Sequence, residues 1–172
     1  EARIAEFYLI GNTSDRAFIG VADPDTGMRS TIVFSLPAGT TNLTFDGAGI
    51  GERFIGDATR FADSQPILPG TATLEVNFSY DLRYEQGQTI ERALDLPIAS
   101  IAVLVSSETI GVDGMGLNPG GFMNTQMGMA ASYSGGPLAA GEAFSFAFVP
   151  QTMPVPTPTP TTQPAAPRDS GS

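Results

Sequence analysis

Residues 71–83, Thr-Ala-Thr-Leu-Glu-Val-Asn-Phe-Ser-Tyr-Asp-Leu-Arg, decide the fold class of this chain. Apolar or aromatic side chains occupy every second position from residue 72 to residue 82, and polar side chains occupy the positions between them. A period of two sustained over this length predicts a β-strand with one buried face and one solvated face.

The same alternation recurs on both sides of this segment, at residues 32–36, 43–45 and 143–148. The nearly continuous apolar run at residues 98–105 predicts a central strand. The best candidate helix, residues 90–94, is short and lies between strand-like runs. We therefore predict an all-β fold, an antiparallel immunoglobulin-like sandwich of about nine to ten strands.

Three turn sequences of one kind immediately precede predicted strands: Leu36-Pro-Ala-Gly39, Leu68-Pro-Gly70 and Leu138-Ala-Ala-Gly141. In each, we expect the leucine to anchor the loop in the core. We expect the glycine to adopt the positive φ that reverses the chain.

The composition changes sharply at Pro150, because seven of the 14 prolines lie in the last 23 residues. We assign residues 1–149 to one β-sandwich domain and residues 150–172 to an extended Pro/Thr-rich linker or stalk. Within that stalk the threonines Thr157, Thr159 and Thr161 are candidates for O-glycosylation.

The chain opens directly on a strand-like run and has no apolar stretch of the roughly 18 residues that a transmembrane helix needs. We interpret it as a processed or excised piece of an exported protein.

The charge balance and the missing residue types exclude several classes of function. Eight basic residues stand against 18 acidic ones, for a net charge of −10, and there is no Lys, His, Cys or Trp. Histidine-dependent nucleophilic catalysis, thiolate or imidazole metal sites and lysine Schiff bases are therefore excluded. Such an acidic chain is also a poor binder of nucleic acid.

Four stretches carry a resemblance to a known family: Ile4-Ala-Glu-Phe-Tyr-Leu-Ile-Gly-Asn-Thr-Ser-Asp-Arg-Ala-Phe-Ile-Gly, Val33-Phe-Ser-Leu-Pro-Ala-Gly-Thr-Thr-Asn-Leu, Pro69-Gly and Val76-Asn-Phe-Ser-Tyr-Asp-Leu-Arg-Tyr. They resemble an uncharacterised β-sandwich domain of exported multidomain bacterial proteins, often found beside carboxypeptidase-regulatory-like modules. The resemblance covers roughly residues 3–149. It implies a fold and an extracytoplasmic location, and it transfers no catalytic residue.

In that family another strand precedes the segment that matches residues 4–10. The resemblance therefore implies that the strand between Arg3 and Ile10 lacks its usual neighbour. Unpaired backbone groups along an edge favour the addition of a strand from another molecule. We predict that residues 3–10 pair at a subunit boundary, with a head-to-tail polymer as the favoured outcome.

Two weak metal candidates appear. Asp23-Pro-Asp-Thr-Gly27 has the D-x-D-x-G look of a calcium loop, through Asp23 and Asp25, but lacks the later ligands, which favours a plain hairpin turn. Met123, Met127 and Met129, with Met115 nearby, could hold Cu(I), although a flexible apolar loop is the favoured interpretation. We predict no cofactor.

The paired carboxylates Glu52/Asp57 and Glu85/Glu91 could suit a glycosidase, but a solvated acidic surface is favoured and no catalytic residue is predicted. The sequons at Asn12, Asn42 and Asn77 are glycosylation candidates, and we expect Asn42 and Asn77 to be exposed.

The sequence thus predicts a non-enzymatic, extracytoplasmic structural or interaction module, a subunit of a surface assembly or filament. It would bind protein partners or its own copies through residues 3–10 and the tail. The alternatives are an accessory subunit on the outer face of a membrane complex and a carbohydrate-binding module. The latter would need a row of exposed aromatics, and Tyr80, Tyr84 and Tyr133 are too scattered to show one.

Overall fold

The computed structural model describes residues 1–24, 27–71, 73–83, 85–107, 109–126 and 128–151. Within these ranges the chain is all-β, with fourteen strands that pair only in the antiparallel sense and with no helix. Nothing in the described ranges could therefore cross a membrane as a helix. Among the predicted site residues, Asp25, Met127, Thr157, Thr159 and Thr161 lie outside them.

The fourteen strands are β1 (Ala2–Gly11), β2 (Val21–Ala22), β3 (Arg29–Ser30), β4 (Ile32–Ser35), β5 (Thr41–Phe45), β6 (Phe54–Gly56), β7 (Arg60–Asp63), β8 (Thr73–Leu82), β9 (Thr89–Ala93), β10 (Ile101–Val105), β11 (Ile110–Asp113), β12 (Asn118–Thr125), β13 (Gly128–Gly135) and β14 (Ala143–Pro150). They form three-stranded sheets in the orders β1-β8-β5, β4-β7-β6, β11-β14-β9 and β10-β13-β12, and β2 pairs with β3 as a separate hairpin. The strand number exceeds the predicted nine to ten because several strands are only two to four residues long.

Strand β8 is the centre of the first sheet, as its alternating sequence requires. It pairs with β1 over ten residues, from Ala2 opposite Leu82 to Gly11 opposite Thr73, and with β5 on its other side. Every second side chain from Val76 to Leu82 is buried, which confirms the predicted period of two.

Aromatic contacts join the sheet β1-β8-β5 to the sheet β4-β7-β6. The ring of Tyr8 on β1 lies 5.0 Å from that of Phe34 on β4. Equivalent contacts run from β5 to β6 and from β8 to β7, the latter with Phe78 and Phe61 edge-to-face at 5.1 Å. Buried aromatic pairs in this geometry add to the stabilisation from area burial. Each strand of one sheet thus faces a strand of the other across a shared core.

The remaining sheets continue the same core. Ile90 on β9, Val112 on β11 and Phe148 on β14 are buried and belong to the apolar cluster that also holds the aromatic contacts. The Tyr133 hydroxyl on β13 accepts a hydrogen bond from Val112 N at 3.4 Å, which links β13 to β11.

The three Leu…Gly turns that precede strands have the predicted glycine conformation, but one of the leucines is not anchored. Gly39, Gly70 and Gly141 have φ of 83°, 102° and 76°, which confirms the predicted chain reversals. Leu36 packs on the core, but Leu68 is exposed, so its predicted anchoring is wrong.

The apolar run at residues 98–105 does not form a central strand. Only its second half is a strand, β10, and β10 is an edge of its sheet because it pairs with β13 alone. Leu104 faces solvent with 54% of its surface exposed. A short apolar run therefore did not distinguish a strand buried on both faces from a half-exposed edge strand.

Candidate interaction surface

Strand β1 is an edge of its sheet. It pairs with β8 along its whole length, and no other strand of the described part of the chain pairs with it. In an antiparallel pair, alternate residues direct their N–H and C=O groups away from the partner strand. One side of β1 therefore offers a row of backbone donors and acceptors to solvent or to another molecule.

Two large apolar side chains are exposed on the outer face of this edge. Phe7 and Leu9 are 60% and 59% exposed, whereas the alternate residues Tyr8 and Ile10 pack on the core. Edge strands are commonly protected by charges or proline against unwanted pairing. Phe7 and Leu9 provide the opposite, an apolar strip two residues apart on an unpaired edge.

An open groove of about 440 Å³ lies beside Phe7. Ala5 and Phe7 line one side of it, and polar side chains line the other: Thr44, Asp46, Asn77 and Ser79. The register explains this grouping, because Phe7 lies opposite Asn77 and Ala5 lies opposite Ser79 in the β1–β8 pair. The groove thus follows the outer face of the sheet rather than penetrating the core.

Arg3 crosses the sheet at one end of the groove. It donates to Asp81 Oδ1 at 3.1 Å, to Thr44 Oγ1 at 3.1 Å and to Ser79 Oγ at 2.8 Å. Asn42 donates to Asp81 Oδ2 at 2.8 Å. The hydrogen bond from Asn42 and the pairing with Arg3 lower the pKa of Asp81 below its usual value. The cation of Arg3 and both hydroxyl groups are therefore already engaged.

Asn77, which lines the groove, has one side-chain acceptor without a partner. Its Oδ1 is buried and has no hydrogen-bond partner within the described residues. Leaving a buried polar group unpaired costs about 1–3 kcal/mol. The atom has almost no exposed surface, so it is an unpaired polar group within the sheet and offers no contact point to a partner.

Beneath the outer face, Glu6 holds β1 to the rest of the molecule. Tyr80 donates to Glu6 Oε1 at 2.7 Å, Arg92 Nη2 donates to Oε2 at 2.7 Å, and the Tyr8 hydroxyl also donates to Oε2. Burial, and then the negative charge of Glu6, raise the pKa of Tyr8 and of Tyr80 above the ordinary value. Burial alone would lower the pKa of Arg92, but Glu6 and the tyrosines raise it.

Sequence reasoning missed this network, although a signal was present. Side chains alternate between the two faces of β1, so Glu6 lies on the same buried face as Ile4, Tyr8 and Ile10. A charge on a buried face implies a buried partner.

The described residues of the calcium candidate lie at the ends of the hairpin between β2 and β3, while Asp25 lies outside the described residues. Asp23 N donates to Met28 O at 2.8 Å, and Gly27 N donates to Asp23 O at 2.9 Å, closing the hairpin between β2 and β3. No cluster of three or more carboxylate, histidine or cysteine ligands occurs in the residues that the structure describes.

The copper candidate is not assembled by the methionines that the structure places. Met123 lies opposite Ala130, while Met129 lies opposite Asn124, one residue out of phase. Because side chains alternate across a strand, Met123 and Met129 face opposite sides of the β12–β13 ribbon. Met115 stands apart at 93% exposed.

The three sequons differ in how their amides are used. Asn12 Nδ2 donates to Arg16 O at 2.8 Å and to Ile67 O at 2.9 Å, and its Oδ1 accepts from Ser14 N at 3.0 Å. Asn42 is exposed, as expected. Asn77 is half-buried, so its predicted exposure is wrong.

Asp57, Glu85 and Tyr80 take local structural roles. Asp57 Oδ1 accepts from Thr59 Oγ1, Thr59 N and Arg60 N at 2.6, 2.7 and 3.0 Å, which lowers its pKa and fixes a turn. Glu85 forms an exposed ion pair with Arg83 at 3.6 Å. Tyr80 is fully buried, so it cannot belong to an exposed aromatic row.

Comparisons of the chain with protein-family models, with curated proteins and with solved structures gave no significant match. The family resemblance, which covers roughly residues 3–149, therefore stays a prediction. The functional argument rests on the geometry of β1 and its surroundings.

Proposed function

We propose that this chain is a non-enzymatic, extracytoplasmic structural or interaction module with an immunoglobulin-like sandwich fold. It joins a surface assembly or filament by accepting an extended segment along the free edge of β1. The observation that carries this proposal is the coincidence of an unpaired strand edge with the exposed side chains of Phe7 and Leu9.

Strand addition fits both features of this edge. The backbone of an added strand would supply hydrogen bonds to the outward-facing groups of β1, which gives affinity. Its side chains would alternate as those of β1 do, so that every second one would cover Phe7 or Leu9 on the outer face. Covering two large apolar side chains adds a favourable hydrophobic term.

The non-enzymatic part of the proposal rests on the residue types of the chain. Without His, Cys or Lys, the chain has no imidazole base, no thiolate nucleophile and no amine for a Schiff base. The buried acid Glu6 does not replace them, since its two oxygens accept from Tyr8, Tyr80 and Arg92. An accessory subunit of a membrane complex would use the same edge, and the identity of its partner would distinguish it from a filament subunit.

Selection from a displayed library of random extended peptides tests the proposal. The full chain should enrich peptides that bind it, and the double variant Phe7→Ser/Leu9→Ser should lose that binding. Leu104→Ser is the matched control, because Leu104 is a comparably exposed leucine on the edge strand β10. Methylating alternate backbone nitrogens of a selected peptide should also abolish binding.

The proposal is contradicted if the selected peptides bind the Phe7→Ser/Leu9→Ser variant as well as the unmodified chain. It is also contradicted if no peptide is enriched and the chain sediments as a monomer up to about 1 mM, the weak limit of specific association.

A further inference from the structure

We propose that Asp46 and Gly47 form a site of spontaneous covalent modification, at which the folded chain converts the aspartate to isoaspartate. The same dipeptide at Asp113 and Gly114 is protected by the fold. This inference does not depend on the proposed function.

The dipeptide Asp-Gly occurs twice in the chain, at residues 46–47 and 113–114. The side-chain carboxyl of an aspartate lies close enough to the backbone nitrogen of the next residue for the two to close a five-membered ring. Glycine favours this reaction because it has no Cβ to crowd the attacking nitrogen. Both dipeptides therefore have nearly the same intrinsic reactivity, and a difference between them in the folded chain comes from the fold.

The conversion takes place in two steps and needs no reactant besides water. In the first step Gly47 N attacks Cγ of Asp46, a C–N bond forms, and the carboxyl OH leaves as water with the amide proton. In the second step water adds to one carbonyl of the resulting cyclic imide and breaks its bond to nitrogen. Addition at Cγ restores aspartate, whereas addition at the former backbone carbonyl leaves the main chain running through Cγ, which is isoaspartate.

The backbone at the first site is free to reach the geometry of ring closure. Closure requires rotation about the Cα–C bond of Asp46, so that Gly47 N approaches Cγ. Asp46 directly follows β5, and both residues are exposed. The hydrogen bond from Asp46 N to Asn77 O, at 3.1 Å, holds only the N-terminal side of Asp46. A Cβ placed on Gly47 would meet no atom within 4 Å beyond its sequence neighbours, so the peptide group that must turn lies in open space.

The second site lacks that freedom. Asp113 is the last residue of β11 and lies opposite Ala147 on β14. A Cβ placed on Gly114 would lie 2.4 Å from Ser145 O and 2.9 Å from Phe146 Cα, so the backbone of Gly114 packs directly against β14. Rotation at Asp113 would pull this strand end away from β14. Such local opening costs free energy that a bend outside the sheet does not require.

Ageing the full chain near neutral pH tests the inference. Peptide mapping with a protease that cuts before aspartate, but not before isoaspartate, measures the two sites separately. In the folded chain, Asp46 should convert at least about tenfold faster than Asp113, a difference of about 1.4 kcal/mol in activation free energy. In the urea-unfolded chain the two rates should be nearly equal. In water enriched in heavy oxygen, the isoaspartate at residue 46 should carry a solvent oxygen, as hydrolysis of the imide requires.

Two matched variants assign the product to its site. Asp46→Glu lengthens the side chain, so that closure needs a larger and slower ring, and it changes neither the net charge nor a buried contact. Methyl transfer to the aged chain by a carboxyl methyltransferase specific for isoaspartate should fall with Asp46→Glu. Asp113→Glu is the control, because it makes the same change at the protected site, and it should leave methyl transfer unchanged.

Equal rates at the two sites in the folded chain overturn the inference, as does faster conversion at Asp113. Conversion of both sites in the unfolded chain, with none at Asp46 in the folded chain, also overturns it, because the fold would then protect both dipeptides. None of these results bears on the pairing edge of β1, so the proposed function stands or falls separately.

Discussion

The Glu6 carboxylate on β1 lies 2.7 Å from Arg92 Nη2 on β9, although the two residues are 86 positions apart and both side chains are almost buried. Arg92 also donates to the carbonyl of Ser35 on β4. Three sheets therefore meet at one guanidinium. The pair attaches the buried face of β1 to β9. The edge of β1 that faces away from β8 stays unpaired within the described residues.

Replacing Arg92 by methionine should lower the free energy of unfolding by about 3–5 kcal/mol, because the carboxylate of Glu6 would stay buried without its counter-charge. Urea unfolding measures this change. Arg83→Met is the control, since Arg83 makes an exposed ion pair with Glu85 and its loss should change little. Adding Glu6→Gln to Arg92→Met should recover part of the loss. Equal destabilisation by Arg92→Met and Arg83→Met would show that the buried pair does not hold β1.

Stability should fall above pH 10. Below that value both the folded and the unfolded chain keep the phenol protons of Tyr8 and Tyr80, so these groups add no pH dependence. Above it, the unfolded chain releases protons that the folded chain retains, because burial and Glu6 raise both pKa values above the ordinary 10.0. The free energy of unfolding should then decrease by up to about 1.4 kcal/mol per pH unit for each tyrosine.

The chain has no lysine whose titration would overlap with this range. Absorbance at 295 nm should show two tyrosines that ionise only as the protein unfolds. Tyr80→Phe should reduce the slope of stability against pH, and ionisation of all tyrosines in the folded protein at pH 10 would refute the buried network.

Asn12→Ala should destabilise the protein by about 2 kcal/mol, because the Asn12 side chain joins the loop at Ser14 and Arg16 to Ile67 through four hydrogen bonds. Thermal or urea unfolding measures this, with Asn124→Ala as an exposed control on β12. The same engagement means that glycosylation at Asn12 requires local opening, whereas the exposed Asn42 is accessible in the folded chain. Preferential modification of folded protein at Asn12 would contradict this geometry.

Local alternation explains why much of the fold was predictable. The β8 pattern from Val76 to Leu82 and the glycine turns at Gly39 and Gly141 depend on neighbouring residues only, and the structure confirms both. The edge position of β10 depends instead on which strands pair with it, which residues 98–105 do not encode locally.

The buried ion pairs depend on long-range register and were not predicted. Asp63 is fully buried, and its Oδ1 and Oδ2 accept from Arg53 Nε at 3.1 and 3.0 Å. This contact depends on the pairing of β6 with β7, which the local sequence does not show. The groove is similar, since Phe7 lies on β1, Asn77 lies on β8 and Asp46 directly follows β5. These residues meet through the registers of the three strands.

The free edge of β1 is the central claim, and amide hydrogen exchange across that strand tests it most directly. In the free full-length chain, alternate amides from Arg3 to Ile10 should exchange fast, because they point away from β8, while the others are protected. Adding a peptide selected on the chain should protect the fast set and leave the amides of β10 unchanged. Uniform protection of β1 in the free chain, or protection by the peptide at β10 instead of β1, would contradict the account.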